Sequence, residues 1–272
     1  MSARQRRFVV AAAMAACLMA AAAPAAAHDS WLGVSLDAPG LRTSLALATG
    51  QRFPIAQSGL PPSSVADSAC IDGAGQRLAL TPDTPTDTAL LLTVTGAPVG
   101  ALSCWAQTQP HEVQLTPQLV EVYLREIQPP PEVRAAWQSL RQQGAVWRER
   151  YVKHARVERL SAEALSPQSI TALRSPTGAA LEMVISGAEP VRVGSPLRVR
   201  VLRDGAPLAG QAVELVSERS PLGIWQRSDE RGEVAYTLPF GGRWLLRATR
   251  VTPPNAPDGL WQGLFSTLLL EP

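Results

Sequence analysis

The chain has 272 residues, 46% hydrophobic and 18% charged, with a formal net charge of +2. That is enough apolar material for one large or two small domains, and too little charge for a disordered chain. Residues 1–27 hold Arg4, Arg6 and Arg7 and no acid, which more than accounts for the positive excess, so the rest offers no basic surface for nucleic acid.

Met1 to Ala27 reads as a cleaved export signal. Three arginines precede an apolar run from Phe8 to Ala22, and Ala25-Ala26-Ala27 supplies small residues for a signal peptidase. The run is too short and Ala-rich for a spanning helix, and Cys17 sits too near its start for a lipoprotein signal. Nothing after Ala27 resembles a membrane span. The expectation is a periplasmic protein whose first residue is His28.

From Trp31 to Gln109, short apolar or alternating runs are broken by turn residues. Leu41, Thr43, Leu45 and Leu47 alternate up to Gly50; Ala89–Val94 and Ala101–Ala106 are continuous runs; Asp72-Gly73 and Gly75 mark a turn. This spacing predicts an antiparallel sandwich. Thr116-Pro117 then starts a helix with Leu119, Val120, Tyr123, Leu124 and Ile127 on one face, stopped by Pro129-Pro130-Pro131. A second helix is expected from Glu132 to about Arg159, interrupted at Gly144, because Trp147, Tyr151 and His154 recur at i, i+4 and i+7. The basic residues from Arg148 to Arg159 read as a solvated face partly paired with Glu149 and Glu158.

Residues 161–178 read as a linker. Beyond it, strand signals continue from Leu181 to Leu270, with turns at Asp204-Gly205, Gly210 and Asp229–Gly232. About seven strands there suit an immunoglobulin-like sandwich. The predicted fold is therefore mainly β, with two sandwich domains. Residues 28–160 form the first, with helices at its end, and residues 179–272 form the immunoglobulin-like second. With residues 1–27 removed only Cys70 and Cys104 remain, and an even count in an oxidising compartment predicts a disulfide between them.

Several segments resemble a family of exported bacterial proteins of unassigned function, often labelled as a nickel or cobalt uptake component. The matching stretches are His28-Asp29-Ser30-Trp31, Gly50-Gln51-Arg52-Phe53-Pro54, the helix containing Tyr123-Leu124, and Trp147 to Ala155. In the second domain they are Val201 to Gly210 and Ser228 to Gly232. The resemblance spans nearly the whole mature chain. It implies export, a link to transition-metal handling, and a membrane metal transporter or other envelope protein as partner.

Catalytic signatures are missing. There is no Gly-x-Ser-x-Gly elbow, no phosphate-binding glycine loop, and His111-Glu112 lacks the second His of a zinc-protease helix. The chain does not read as an enzyme. Its sharpest signal is positional: cleavage after Ala27 makes His28 the amino terminus, where amine and ring nitrogen chelate one ion, and a further imidazole completes a three-nitrogen brace. Such a set suits copper first and nickel or cobalt less well. His111 and His154 are the candidate partners, and Asp29 and Glu112 are candidates to orient a ring from behind or add an oxygen ligand. The alternative is a metal-free envelope adaptor that docks through its second sandwich.

Overall fold

The structure, a computed structural model, describes residues 28–35, 42–95, 101–160 and 165–272; the predicted signal and Cys17 lie outside them. The first half runs β1 (Asp29–Ser35), β2 (Arg42–Gly50), β3 (Val65–Asp72), β4 (Arg77–Pro85), β5 (Ala89–Thr95), β6 (Leu102–Thr108), β7 (His111–Leu115), α1 (Pro117–Ile127), α2 (Pro131–Gln142) and β8 (Trp147–Arg159). The second runs α3 (Pro167–Leu173), β9 (Leu181–Ile185), β10 (Pro196–Arg203), β11 (Ala206–Pro207), β12 (Ala212–Ser217), β13 (Ser220–Arg227), β14 (Glu233–Thr237), β15 (Trp244–Thr252) and β16 (Trp261–Leu270). The fold is mainly β, as the turn spacing predicts.

Local chemistry accounts for most of these boundaries. The Thr116 hydroxyl accepts the Leu119 amide at the start of α1, and Pro117 occupies the first turn, where no amide donor is needed. Val120, Tyr123, Leu124 and Ile127 are buried on the inner face, whereas Leu119 stays at the surface. Gln128, at φ 43°, ends the helix before the prolines. Asp204 and Gly205 both take positive φ (50° and 79°) between β10 and β11, the left-handed pair that a tight hairpin needs.

The second helix differs from expectation. It ends at Gln142, Gly144 turns the chain at φ 82°, and residues 147–159 form a strand. The spacing of Trp147, Tyr151 and His154 mimics a helix because charged residues occupy intervening inward positions. Trp147, Glu149, Tyr151 and Lys153 are all buried while Arg148 and Arg150 are exposed, a period of two. Nor is this a solvated basic face from Lys153 to Glu158, all of which are buried. Arg156 is buried, its guanidinium donating to the Ser103 hydroxyl at 3.0 Å and the Leu173 carbonyl at 2.7 Å. Glu158 forms a buried pair with Arg174 at 2.7 Å. Within the stretch expected as a linker, α3 buries Ile170 and Leu173.

A large sheet runs in the order β1-β2-β5-β4-β3-β6-β8-β16-β15-β12-β13, with β7 paired to β8, and β9, β10, β11 and β14 form a second sheet. Its central joint is the parallel pairing of β8 with β16, from Glu149 opposite Trp261 to Glu158 opposite Leu270. Three apolar clusters meet there. Leu32, Leu45, Leu90 and Leu92 face Val157 and Leu269; Leu197, Val199 and Val201 face Leu246 and Leu268; and the two long helices cover Trp147, Tyr151, Trp261 and Phe265. Trp147 and Trp261 stack across the joint with centroids 3.9 Å apart.

The predicted disulfide is present: Cys70 and Cys104 are direct partners across β3 and β6, with Cα atoms 3.9 Å apart. It closes a loop with a sequence separation of 34, which constrains the unfolded chain by about 3–4 kcal/mol. Replacing both cysteines by Ser is expected to lower the unfolding free energy by about that amount, measured by urea titration of the oxidised and substituted proteins.

Candidate functional site

His28 immediately precedes β1, which pairs with β2 at one end of the large sheet, and is 8% exposed. Its Nε2 is buried without a hydrogen-bond partner. Three consecutive residues of this segment are tied from the far side of the molecule. Lys153 Nζ on β8 donates to the His28 carbonyl at 2.6 Å, Arg247 Nη1 on β15 pairs with Asp29 Oδ2 at 2.5 Å, and the Thr267 hydroxyl on β16 donates to the Ser30 carbonyl at 2.6 Å. The Ser30 and Thr49 hydroxyls are 2.8 Å apart across β1 and β2. Trp31 meets the edge of Phe53 with centroids 5.5 Å apart, fixing the next residue in the core.

A cavity of about 370 Å³ opens beside this strand, lined in part by His28, Ser30, Thr49, His111, Tyr151 and Lys153. The structure thus brings two of the three predicted histidines into one space. His111, the first residue of β7, is exposed and lies edge-on to Tyr151, its register partner, with centroids 5.4 Å apart. Burial lowers the pKa of His28, and the Lys153 charge adds to the shift while Asp29 opposes it, so the ring is neutral at pH 7. A neutral imidazole is the form that binds metal. Burial also pushes Lys153 down to about 8, against the pull of Asp29 and Glu149. Its ammonium lies 5.3 Å from the Tyr151 ring centroid and 5.6 Å from that of Phe265.

The other candidates go elsewhere. His154 projects from the opposite face of β8 to Lys153 and lines a separate cavity of about 270 Å³ with Gln107, Gly178 and Leu264. The Thr177 hydroxyl donates to Glu182 Oε2 at 2.9 Å, so the 3.2 Å contact between Thr177 Oγ1 and His154 Nε2 requires the ring to donate. That assigns the proton to Nε2 and leaves Nδ1 a buried, unpartnered lone pair. Burial, then the neighbouring Arg156, pushes His154 down to about 3. Asp29 is held by Arg247, and Glu112 pairs with Arg150 at 2.6 Å on the surface, so each carboxylate is directed at a guanidinium.

Among the described residues no three His, Cys, Asp or Glu side chains are gathered as metal ligands. His28 and His111 are the two imidazoles that line this cavity. Tyr151, Lys153, Arg247 and Thr267 shape the site without a sequence signature. The one readable sign is the placement of Glu149, Tyr151 and Lys153 at alternate positions, which a helical reading conceals.

Residues 25–252 match the sequence family described as a domain of unknown function, DUF4198. The chain belongs to that family. No curated protein matches it in sequence. Among solved structures it is similar to the D0-D1 domain of intimin, at 12% identity and TM-score 0.21, with 90% of this chain and 100% of that one covered. It is also similar to the human OSCAR ligand-binding domain, at 13% and 0.22 with 90% and 98% covered. A third match is native alpha-2-macroglobulin from Escherichia coli spanning domains MG0-NIE-MG1, at 11% and 0.21 with 89% and 96% covered. Among the described residues no helix is long and apolar enough to cross a membrane.

Two buried groups of β8, on opposite faces, make opposite contributions to stability as pH changes. Glu149 accepts hydrogen bonds from the Tyr123 hydroxyl at 3.0 Å and Trp147 Nε1 at 2.9 Å, yet burial raises it from 4.5 to about 7. The folded protein keeps that proton where the unfolded chain has lost it, so stability falls as pH rises from 4.5 to 7. His154 acts in the other sense: the unfolded chain binds a proton below 6.5 that the folded ring refuses down to about 3, so stability falls as pH drops through that window. Glu149→Gln removes one contribution. Unfolding free energy of the variant is expected to climb with pH across the overlap more steeply than that of the wild type, by about 1 kcal/mol per pH unit. Urea titrations at a series of pH values read the difference.

Proposed function

We propose that this protein is a periplasmic transition-metal-binding accessory protein that captures or delivers copper, with nickel and cobalt as weaker cargoes. The observation that carries the reading is the placement of His28 and His111 along one cavity. The donors are the amine and imidazole of a mature amino-terminal His28 and the imidazole of His111. An all-nitrogen set favours copper over nickel and cobalt by the order of divalent-metal affinities. Burial, then the Lys153 charge, lowers the pKa of the His28 ring, which favours the neutral imidazole that binds metal. The role is binding and hand-on, with a membrane transporter or another envelope protein as the recipient, and no catalytic step is assigned.

A second reading, a metal-free envelope adaptor, is favoured by one feature. The large sheet ends at β13, where Leu222 is 79% and Ile224 44% exposed, and an open apolar edge suits docking of another chain.

Intact mass of protein purified from the periplasm, native and denatured, separates the two. The metal reading expects a chain that starts at His28, is two hydrogens lighter for its disulfide, and retains one copper ion under native conditions. His28→Ala, or one residue inserted before His28, is expected to abolish stoichiometric retention, and His111→Ala to weaken it. A different first residue, or unchanged retention in the His28 variant, overturns this reading in favour of the adaptor.

A further inference from the structure

Arg247 lies on β15, 218 residues from Asp29 along the chain, and its guanidinium bridges Asp29 and Glu214. With Lys153 on the His28 carbonyl and Thr267 on the Ser30 carbonyl, one side chain from the second half or its partner strand holds each of residues 28, 29 and 30. The Lys153 and Thr267 side chains meet backbone oxygens, and Arg247 meets a carboxylate. The edge of a strand ordinarily satisfies such groups with water at no desolvation cost. Here a buried ammonium and a half-buried guanidinium make these contacts, and drawing a cation out of water costs stability. The effect visible in the geometry is fixing the first three residues against the cavity shared with His111.

Building on the metal-binding reading above, we infer that Arg247 is the positioning residue of the site. Through Asp29 it sets where the His28 amine and ring stand relative to His111, so that the second sandwich governs metal affinity without touching the metal. Arg is suited to this role, since its planar fork engages two carboxylates at once, whereas a lysine ammonium presents a single point charge. The tie also makes ligand geometry depend on β15 being correctly packed, since Arg247 stands opposite Glu214 in the β12–β15 register.

The test uses the mature exported protein, loaded with Cu(II). Arg247→Met is expected to weaken Cu(II) binding by about 10–100-fold and to alter the Cu(II) electron paramagnetic resonance spectrum, with Arg247→Lys intermediate in both. Asp29→Asn should reproduce the spectral change, and it serves if Arg247→Met does not fold. Arg200→Gln, which breaks a surface pair with Glu233 far from the cavity, is the control for loss of an ion pair as such. A purely structural role for Arg247 would lower thermal stability while leaving the spectrum of the folded protein unchanged, and that result, or wild-type affinity in Arg247→Met, overturns the inference. If the wild type retains no copper, or His28→Ala retains it, the metal reading fails instead. Amide exchange then decides the clamp alone: faster exchange at Asp29–Trp31 in Arg247→Met, with Val199 unchanged, supports it, and equal exchange overturns it.

Discussion

The parallel pairing of β8 with β16 is the constraint on which the rest of the molecule depends. A parallel pair needs a long connection between its strands, and here the connection is the whole second half of the chain, from α3 to β15. Strands paired this way are buried on both faces, so each side must be covered. One face is covered by the two long helices and by β1, β2 and β5, the other by β9 and its sheet. The two halves are therefore linked through one sheet. The close approach has a visible mark in Gly263: a Cβ there would stand 1.9 Å from Glu149 Oε1, so only glycine leaves room for the buried carboxylate.

Burying β8 while it carries Glu149, Lys153, His154, Arg156 and Glu158 requires a partner for nearly every charge. Tyr123 and Trp147 serve Glu149, Ser103 and Leu173 serve Arg156, Arg174 serves Glu158, and the His28 carbonyl serves Lys153. These contacts radiate to α1, β6, α3 and β1, so the polar residues of one strand specify where four other elements sit. Well-packed apolar residues would give equal or greater stability at such positions. What the ionic set provides is a defined placement, and on the inner side of β8 that placement converges on the first residues of β1.

The candidate site follows from this arrangement. His28 comes from the residue just before β1 and His111 from a short strand paired to β8; Tyr151 and Lys153 come from β8 itself, and the outer support comes from β15 and β16. No local segment contains it. The cavity exists because β1 lies across the β8–β16 joint, and the side chains that hold β1 there are distant in sequence from the residues they hold.

The sequence by itself determined the strand-rich class, the caps and turns, the first helix and the Cys70–Cys104 bond, because these depend on short-range chemistry. Hydrophobic alternation, a threonine before a proline, a left-handed Asp-Gly pair and an even cysteine count each act within a few residues or follow from redox chemistry. His28 was legible as a candidate for the same reason, from its place after three alanines. The strand at 147–159 was not, since its inward positions alternate apolar with charged residues and only burial reveals the period of two. Tertiary structure alone decided that His111 shares a cavity with His28 and that His154 faces another, because the two faces of one strand are separated by the pleat and not by sequence distance. It alone decided that Arg247 reaches Asp29, since the pairing of β16 with β8 is what folds the second half back over the first strand.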